Sequence, residues 1–152
     1  MTLPPDMLAA VYAHGQDEYP FECCGAIWRV DGPAGQLWEA VRCTNAQNEL
    51  HAREPDRFPR DARTAYTISA RELLAIHRRA EEPGQNLVLL YHSHPDADAY
   101  FSCEDVAMAA PFGEPSYPGV AYLVVSVRGG QAVAHRCFAW DAAAGRYVEA
   151  GC

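Results

Sequence analysis

The chain has 152 residues, of which 49% are hydrophobic and 21% charged, and its formal net charge is −8. This composition is typical of one globular domain, expected here over residues 1–152, and it excludes a wholly disordered chain. The acidic balance argues against nucleic acid as a partner, because a basic surface is needed to neutralise phosphates. No apolar run approaches the 18 residues of a membrane span, so no membrane partner is expected.

Cysteine and lysine usage set further expectations. None of the six cysteines forms a CxxC pair, and the N-terminus lacks the features of a signal peptide. We therefore expect a cytoplasmic protein with reduced thiols, most of them packed in the core. All 12 basic residues are arginine. Two explanations stay open for the missing lysines: biased codon usage, or the avoidance of lysine conjugation.

The first third of the chain predicts a helix followed by a hairpin. Apolar residues at helical spacing and two early prolines indicate a helix over residues 4–17. A strand is predicted over 23–30, with its hairpin partner over 36–42. Residues 43–63 are polar and aperiodic, and a stretch of that length is expected to be a partly ordered insertion or a functional lid.

The remaining chain alternates strand and helix patterns. A continuous apolar run at 87–91 is typical of a strand that is buried on both faces. The succession of elements predicts a mixed α/β (α+β) domain, in which helices pack on one curved sheet. The predicted elements from here on are strand 64–68, helix 69–82, strand 87–91, helix 102–110 and strands 120–127, 132–140 and 146–149.

The buried strand ends in a histidine pair. Side chains at i and i+2 of a strand point the same way, so His92 and His94 project together while Ser93 points away and supports the sheet. Two imidazoles beside a third ligand suit a zinc ion. If Ser102 begins the next helix, Asp105 lies in its first turn and can face the histidines.

Each part of this pattern also has a structural explanation. A Ser-x-x-Asp sequence is a common capping box, and isolated histidines generally pack in the fold. The conjunction of all four positions at fixed spacing is what indicates a site. The other histidines are expected to be structural: His14, His51, His77 and His135.

The pattern His92-Ser93-His94-Pro95, six residues, then Ser102-x-x-Asp105 resembles the metal motif of the JAMM (MPN+) zinc metallopeptidases. Residues 19–25, Tyr-Pro-Phe-Glu-Cys-Cys-Gly, are similar to the family segment that carries a catalytic glutamate, which is Glu22 here. The order of elements also matches over most of the chain, residues 43–63 excepted. The resemblance implies a cytidine-deaminase-like JAMM/MPN architecture of the prokaryotic single-domain branch.

The resemblance also implies a mechanism. His92, His94 and Asp105 would bind one Zn²⁺ and leave a fourth coordination position to water. Glu22 would accept the proton of that water, and Ser102 would donate a hydrogen bond to the oxyanion. The bond cleaved would be an amide or isopeptide after the C-terminal Gly-Gly of a ubiquitin-like or sulfur-carrier protein.

The resemblance leaves the leaving group open between cysteine, a peptide and a lysine side chain. The Gly-Gly tail is expected to bind as an added strand in a narrow groove, with residues 43–63 as its flap. Two other functions compete: a non-catalytic MPN-type scaffold, and a cysteine hydrolase that uses Cys23, Cys24 or Cys103. A regulatory role for these thiols is also open, as is the oligomeric state.

Overall fold

In the computed structural model, which describes residues 2–152, six strands form one sheet in the order β2-β1-β3-β4-β5-β6. Only β3 and β4 are parallel; the other neighbouring pairs are antiparallel. This confirms the predicted mixed α+β fold. The elements in chain order are α1 Pro5–Glu18, β1 Cys24–Gly32, β2 Gly35–Cys43, α2 Gln47–Arg53, α3 Ala70–Ala80, β3 Gln85–Pro95, α4 Cys103–Ala109, β4 Ala121–Arg128, β5 Gln131–Asp141 and β6 Arg146–Ala150.

The sheet buries a separate apolar layer on each face. On one face Val11 of α1 packs with Tyr91 and Leu123 of the central strands. On the other face Ile76 of α3 belongs to the same layer as Val124. Successive strand residues alternate between these layers, so the residues that flank Tyr91 in β3 lie on the face opposite α1. His92 and His94 of the predicted motif therefore both lie on the face of the sheet opposite α1.

At the centre of the sheet, the side chain of Tyr91 lies close against the backbone of Gly25. Gly25 of β1 lies opposite Tyr91 of β3, and a Cβ atom at this glycine would come within 2.3 Å of the tyrosine ring. The Tyr91 hydroxyl lies 2.9 Å from Nδ1 of His14 in α1. Any residue with a Cβ atom at position 25 would clash with the Tyr91 ring, so glycine is required there.

Residues 43–63 contain the short helix α2. The expectation that this segment is an insertion or a lid stays a prediction. The strand predicted at 64–68 is wrong: the segment makes only a single bridge, between Asn45 and Ile68. The Asn45 side chain donates to the carbonyl of Ala65 and accepts from the N–H of Thr67. The Asn45 side chain thus makes some of the hydrogen bonds that a full strand neighbour would make, beside two backbone hydrogen bonds between residues 44–46 and 67–69.

The expectation that the cysteines are reduced thiols is wrong for two of the six. Cys137 and Cys152 form a disulfide with their Cα atoms 5.7 Å apart. Antiparallel pairing places Ala150 of β6 opposite Cys137, which brings the end of the chain alongside β5. Cys23 and Cys24 are buried and free, as expected of core thiols. Across the described chain, none of the helices has the length and apolarity that crossing a bilayer requires.

Candidate metal centre

Three side chains of the predicted motif converge at the end of β3. The Nε2 atoms of His92 and His94 are 3.2 Å apart. Asp105 Oδ1 lies 3.3 Å from His92 Nε2, and its Oδ2 lies 3.7 Å from His94 Nε2. All three residues are buried. The sequence prediction that Asp105 faces the histidine pair agrees with this arrangement.

The spacing of these donor atoms suits a small divalent cation. Tetrahedral ligands about 2.1 Å from an ion lie roughly 3.4 Å from one another. The separations between 3.2 and 3.7 Å match that value. Two imidazoles and one carboxylate are also ligands that zinc accepts, and three protein ligands leave one position open. His92, His94 and Asp105 therefore fit a metal ion.

The helix that supplies Asp105 begins with a complete capping box. The Ser102 side chain accepts from the Asp105 N–H at 3.1 Å, and the Ser102 N–H donates to Asp105 Oδ2 at 2.8 Å. The same carboxylate thus caps α4 and faces both imidazoles. Because the Ser102 oxygen accepts this bond, its hydroxyl proton is free to donate elsewhere.

Each of the two imidazoles makes a further contact that fixes its orientation. Nδ1 of His94 donates to the backbone carbonyl of Asp98 at 2.9 Å, which leaves Nε2 as the lone-pair nitrogen of the neutral ring. The His92 ring stacks on Tyr66 with 4.4 Å between centroids. Ser93 supports the sheet as predicted, since its hydroxyl accepts from the backbone N–H of Cys23 at 2.8 Å.

Burial and mutual contacts set the charges of this cluster. Burial alone would raise the pKa of Asp105, yet the adjacent His92 and His94 side chains hold that pKa well below its usual range. Burial lowers the pKa of His92, against the opposing effect of Asp105. Asp105 therefore favours the ionised carboxylate and His92 the neutral imidazole, the protonation states in which both bind a cation.

Glu22 is buried at the wall of the same site. Its backbone N–H donates to the carbonyl of Ala62 at 2.7 Å, and its carbonyl accepts from the Asn45 side chain at 2.9 Å. Burial raises the pKa of Glu22 to about 8, with the charge of His94 opposing this and that of Asp105 adding to it. A carboxylate with a raised pKa is a stronger base than an exposed one.

One cavity of about 730 Å³ brings the predicted residues together. Glu22, His94, Ser102 and Asp105 all line it, while His92 lies fully buried behind them. Residues 57–60 form part of its wall. These four residues belong to the segment 43–63 that was expected to form a flap. Sequence reasoning did not foresee the stacking of Tyr66, because that residue does not stand in a periodic or motif-like pattern.

The other histidines and the free thiols lie outside the cluster. The four histidines predicted to be structural each pair with a tyrosine hydroxyl or a backbone carbonyl: His14, His51, His77 and His135. Cys23 and Cys24 belong to opposite apolar layers, as their alternation along the strand predicts. Burial raises the pKa of Cys23 to about 12, which disfavours the nucleophilic thiolate.

Comparison with known proteins identifies the family. The family described as prokaryotic homologues of the JAB domain matches residues 4–142. Together with the fold and the His-His-Asp cluster, this match means that the chain belongs to that family.

Named relatives and a solved structure are similar over most of the chain. A protein of Mycobacterium tuberculosis named CysO-cysteine peptidase is 27% identical over 128 residues, which are 84% of this chain and 74% of the relative. The desampylase of Haloferax volcanii is 29% identical over 133 residues, covering 85% of this chain and 82% of the relative. A protein from Salinibacter ruber, solved in solution, has 28% identity and a TM-score of 0.60 over 99% of this chain and 88% of its own.

Proposed function

We propose that this protein is a zinc-dependent metallopeptidase that hydrolyses an amide or isopeptide bond after the C-terminal Gly-Gly of a ubiquitin-like or sulfur-carrier protein. The convergence of His92, His94 and Asp105 within 3.7 Å, beside a cavity that Glu22 and Ser102 also line, carries this proposal. Membership of the JAB family and the names of the peptidase and desampylase relatives support a hydrolase with such substrates.

In this mechanism His92, His94 and Asp105 would hold one Zn²⁺. The ion would supply Lewis-acid polarisation of the scissile carbonyl and a lowered pKa for water at the site. The capping box keeps Asp105 aimed at the histidines, and the Asp98 carbonyl keeps Nε2 of His94 available. These contacts preorganise the ligands, so that little reordering accompanies metal uptake.

Glu22 moves the proton of the reaction. Its carboxylate accepts a proton from the attacking water and then delivers it to the nitrogen of the leaving amine as the C–N bond breaks. Burial supports this role, because it makes the carboxylate basic enough to accept the proton. The backbone contact with Ala62 keeps the residue at the cavity wall.

Ser102 stabilises the charge that develops on the carbonyl oxygen. Its oxygen already accepts from the Asp105 N–H, which leaves the hydroxyl proton available to donate to a group bound in the cavity that Ser102 lines. An oxyanion donor of this type contributes roughly 3 kcal/mol in the transition state.

A Gly-Gly tail has backbone but no side chains to recognise, and residues 64–67 offer a matching surface. This segment lines the cavity, and among the described residues nothing hydrogen-bonds to the backbone N–H or C=O of Tyr66. An extended peptide can add to such a free edge through main-chain hydrogen bonds. Residues 43–63 would then act as the second wall, the role expected of a flap. A carrier of this kind also makes the cytoplasm the proposed location.

The experiment combines metal analysis with cleavage of a ubiquitin-like carrier extended beyond its Gly-Gly terminus. We expect one Zn²⁺ per chain, loss of cleavage on chelation and recovery on zinc addition. Asp105→Ala should lose both the metal and the activity. Binding of the carrier without cleavage would favour the scaffold alternative, and inactivation by thiol alkylation instead of chelation would favour the cysteine hydrolase.

A further inference from the structure

The two histidines of the candidate metal centre differ in the hydrogen bond at Nδ1. Nδ1 of His94 donates to the carbonyl of Asp98 at 2.9 Å. Nδ1 of His92, in contrast, is buried, and none of the described residues forms a hydrogen bond with it. A histidine that binds a metal generally donates its second ring nitrogen to a carbonyl, a carboxylate or water, and this outer bond fixes the ring. His92 therefore needs another contact to hold its ring in place.

The strands on either side of His92 do not supply that contact. His92 pairs with Cys24 of β1 and with Val124 of β4, and all three residues are fully buried. Val124 has no polar side-chain atom, and the Cys24 thiol donates to the carbonyl of Cys43 at 3.7 Å. These neighbours give the imidazole apolar packing, which is not directional.

The ring of Tyr66 covers the His92 imidazole. The two ring centroids are 4.4 Å apart and the ring planes are inclined by 22°, so the rings are stacked. Rotation of the imidazole about its Cβ–Cγ bond would tilt it out of this stack, and this torsion is otherwise soft. The same rotation would move Nε2 of His92 from its position 3.2 Å from Nε2 of His94. Stacking thus restrains the movement that a hydrogen bond at Nδ1 would restrain.

Tyr66 is anchored through the residues on either side of it. The Asn45 side chain donates to the carbonyl of Ala65 at 3.1 Å and accepts from the N–H of Thr67 at 3.1 Å. The same amide donates to the carbonyl of Glu22 at 2.9 Å. The Tyr66 side chain is buried in the apolar layer on this face of the sheet. The ring therefore presents a fixed surface to the imidazole.

We infer that Tyr66 sets the affinity of the site for its metal ion, as the positioning residue that holds His92 in place of a hydrogen bond at Nδ1. The planar ring of Tyr66 performs this role and the hydroxyl does not, because the stack is formed by the two rings. The inference rests on the proposed function, since it concerns the zinc that His92, His94 and Asp105 would hold.

The test measures the zinc Kd of the full chain and its variants by competition with a chelator, in buffer where unfolding curves show each metal-free protein to be folded. We expect Tyr66→Leu to raise the zinc Kd about tenfold, and Tyr66→Phe to leave it unchanged. Cobalt in place of zinc gives a second readout, because its visible absorption reports the geometry of its ligands. That absorption should change in Tyr66→Leu and stay the same in Tyr66→Phe.

Two matched variants separate positioning from packing. Phe138→Leu removes a ring of the same apolar layer with the same 9% exposure as Tyr66, but this ring stacks on Phe101 instead of a histidine. Tyr100→Leu removes a ring that meets His94 edge-on, with 4.8 Å between centroids, while the hydrogen bond from His94 to Asp98 remains. Both variants should keep the zinc Kd of the unaltered protein.

An unchanged Kd in Tyr66→Leu, an equal rise in either control, or a rise in Tyr66→Phe would overturn the inference and leave the metallopeptidase in place. If the unaltered protein binds no zinc, the proposed function fails. NMR of the metal-free protein then decides the positioning role. We expect the His92 ring signals to broaden in Tyr66→Leu and to stay sharp in Phe138→Leu, and equal line widths in the two variants reject the role.

Discussion

The Asp105 carboxylate both caps helix α4 and faces the two imidazoles of the candidate metal site. It accepts the Ser102 N–H at the start of α4 and lies within 3.7 Å of both imidazoles. The Ser102 side chain completes the exchange by accepting from the Asp105 N–H. A local capping rule therefore explains why the ligand faces the histidines, since the cap permits the carboxylate few other orientations.

Ser102→Ala removes a cap and the proposed oxyanion donor together. We expect stability to fall by about 1 kcal/mol and kcat to fall roughly 10²–10³-fold. Ser69→Ala is the control, because Ser69 caps α3 by accepting from the Glu72 N–H. It should cost similar stability without loss of rate. Denaturant unfolding beside steady-state kinetics measures both, and equal rate losses in the two variants would refute the oxyanion role.

Glu22→Gln keeps the shape of the side chain but removes its capacity to accept a proton. We expect kcat to fall about 10²–10⁴-fold while the zinc content stays at that of the unaltered protein. Glu18→Gln, four residues earlier on an exposed position, should keep the normal rate. A near-normal rate in Glu22→Gln would assign proton transfer to another residue.

At the scale of elements, two glycines of β1 permit a matched comparison. A Cβ at Gly25 would lie 2.3 Å from the Tyr91 ring, whereas at Gly32 the nearest atom is 3.7 Å away. We expect Gly25→Ala to lower the free energy of unfolding by about 3 kcal/mol through overpacking. Gly32→Ala should cost less than about 1 kcal/mol. Urea unfolding of both variants checks this, and equal losses would contradict the close packing at Gly25.

The packing of α1 on β3 makes stability dependent on pH. His14 is 3% exposed, and burial chiefly, with help from Arg42 and against Asp17, lowers its pKa from 6.5 to about 4. Between these values the unfolded chain binds the extra proton, so stability falls as the pH drops from about 6.5 to about 4.

His14→Gln should remove this part of the acid destabilisation. The measurement is the change in unfolding free energy between about pH 7 and about pH 5. His77→Gln, on the exposed side of α3, should retain the full change. An identical change in His14→Gln and the unaltered protein would show that His14 is not the titrating group.

The sequence was sufficient for elements whose own periodicity defines them. The apolar run of β3 and the capping box of α4 predicted both the histidine pair and the orientation of Asp105. Helix α2 was missed because its only buried residue is Gln47, which is held by polar contacts rather than by an apolar stripe. The Cys137–Cys152 disulfide was missed because it depends on the pairing of β5 with β6, which no local spacing reveals.

At the scale of the whole molecule, the proposed metal binding would be linked to folding. The ligands come from β3 and α4, so the complete site exists only in the folded chain. A ligand at about 1,000 times its Kd stabilises the folded state by about 4 kcal/mol. For a domain of this size we expect zinc to raise Tm by roughly 10 °C.

Calorimetry of the zinc-loaded and chelated protein measures this shift. Asp105→Ala should have the same Tm with and without zinc, because it has lost a ligand. Glu104→Gln, the neighbouring exposed acid, should keep the full shift. A zinc effect that persists in Asp105→Ala would place the ion elsewhere on the protein.

Helix α4 has only seven residues, too few to persist in water without outside support. Its first turn nevertheless carries the acidic member of the cation site. With the proposed ion bound there, fraying of that turn would release it, and the proposed hydrolytic activity would be lost while the six-stranded sheet stays folded. Backbone amides of residues 103–109 should accordingly exchange with deuterium faster after demetallation, and those of the central strands should not.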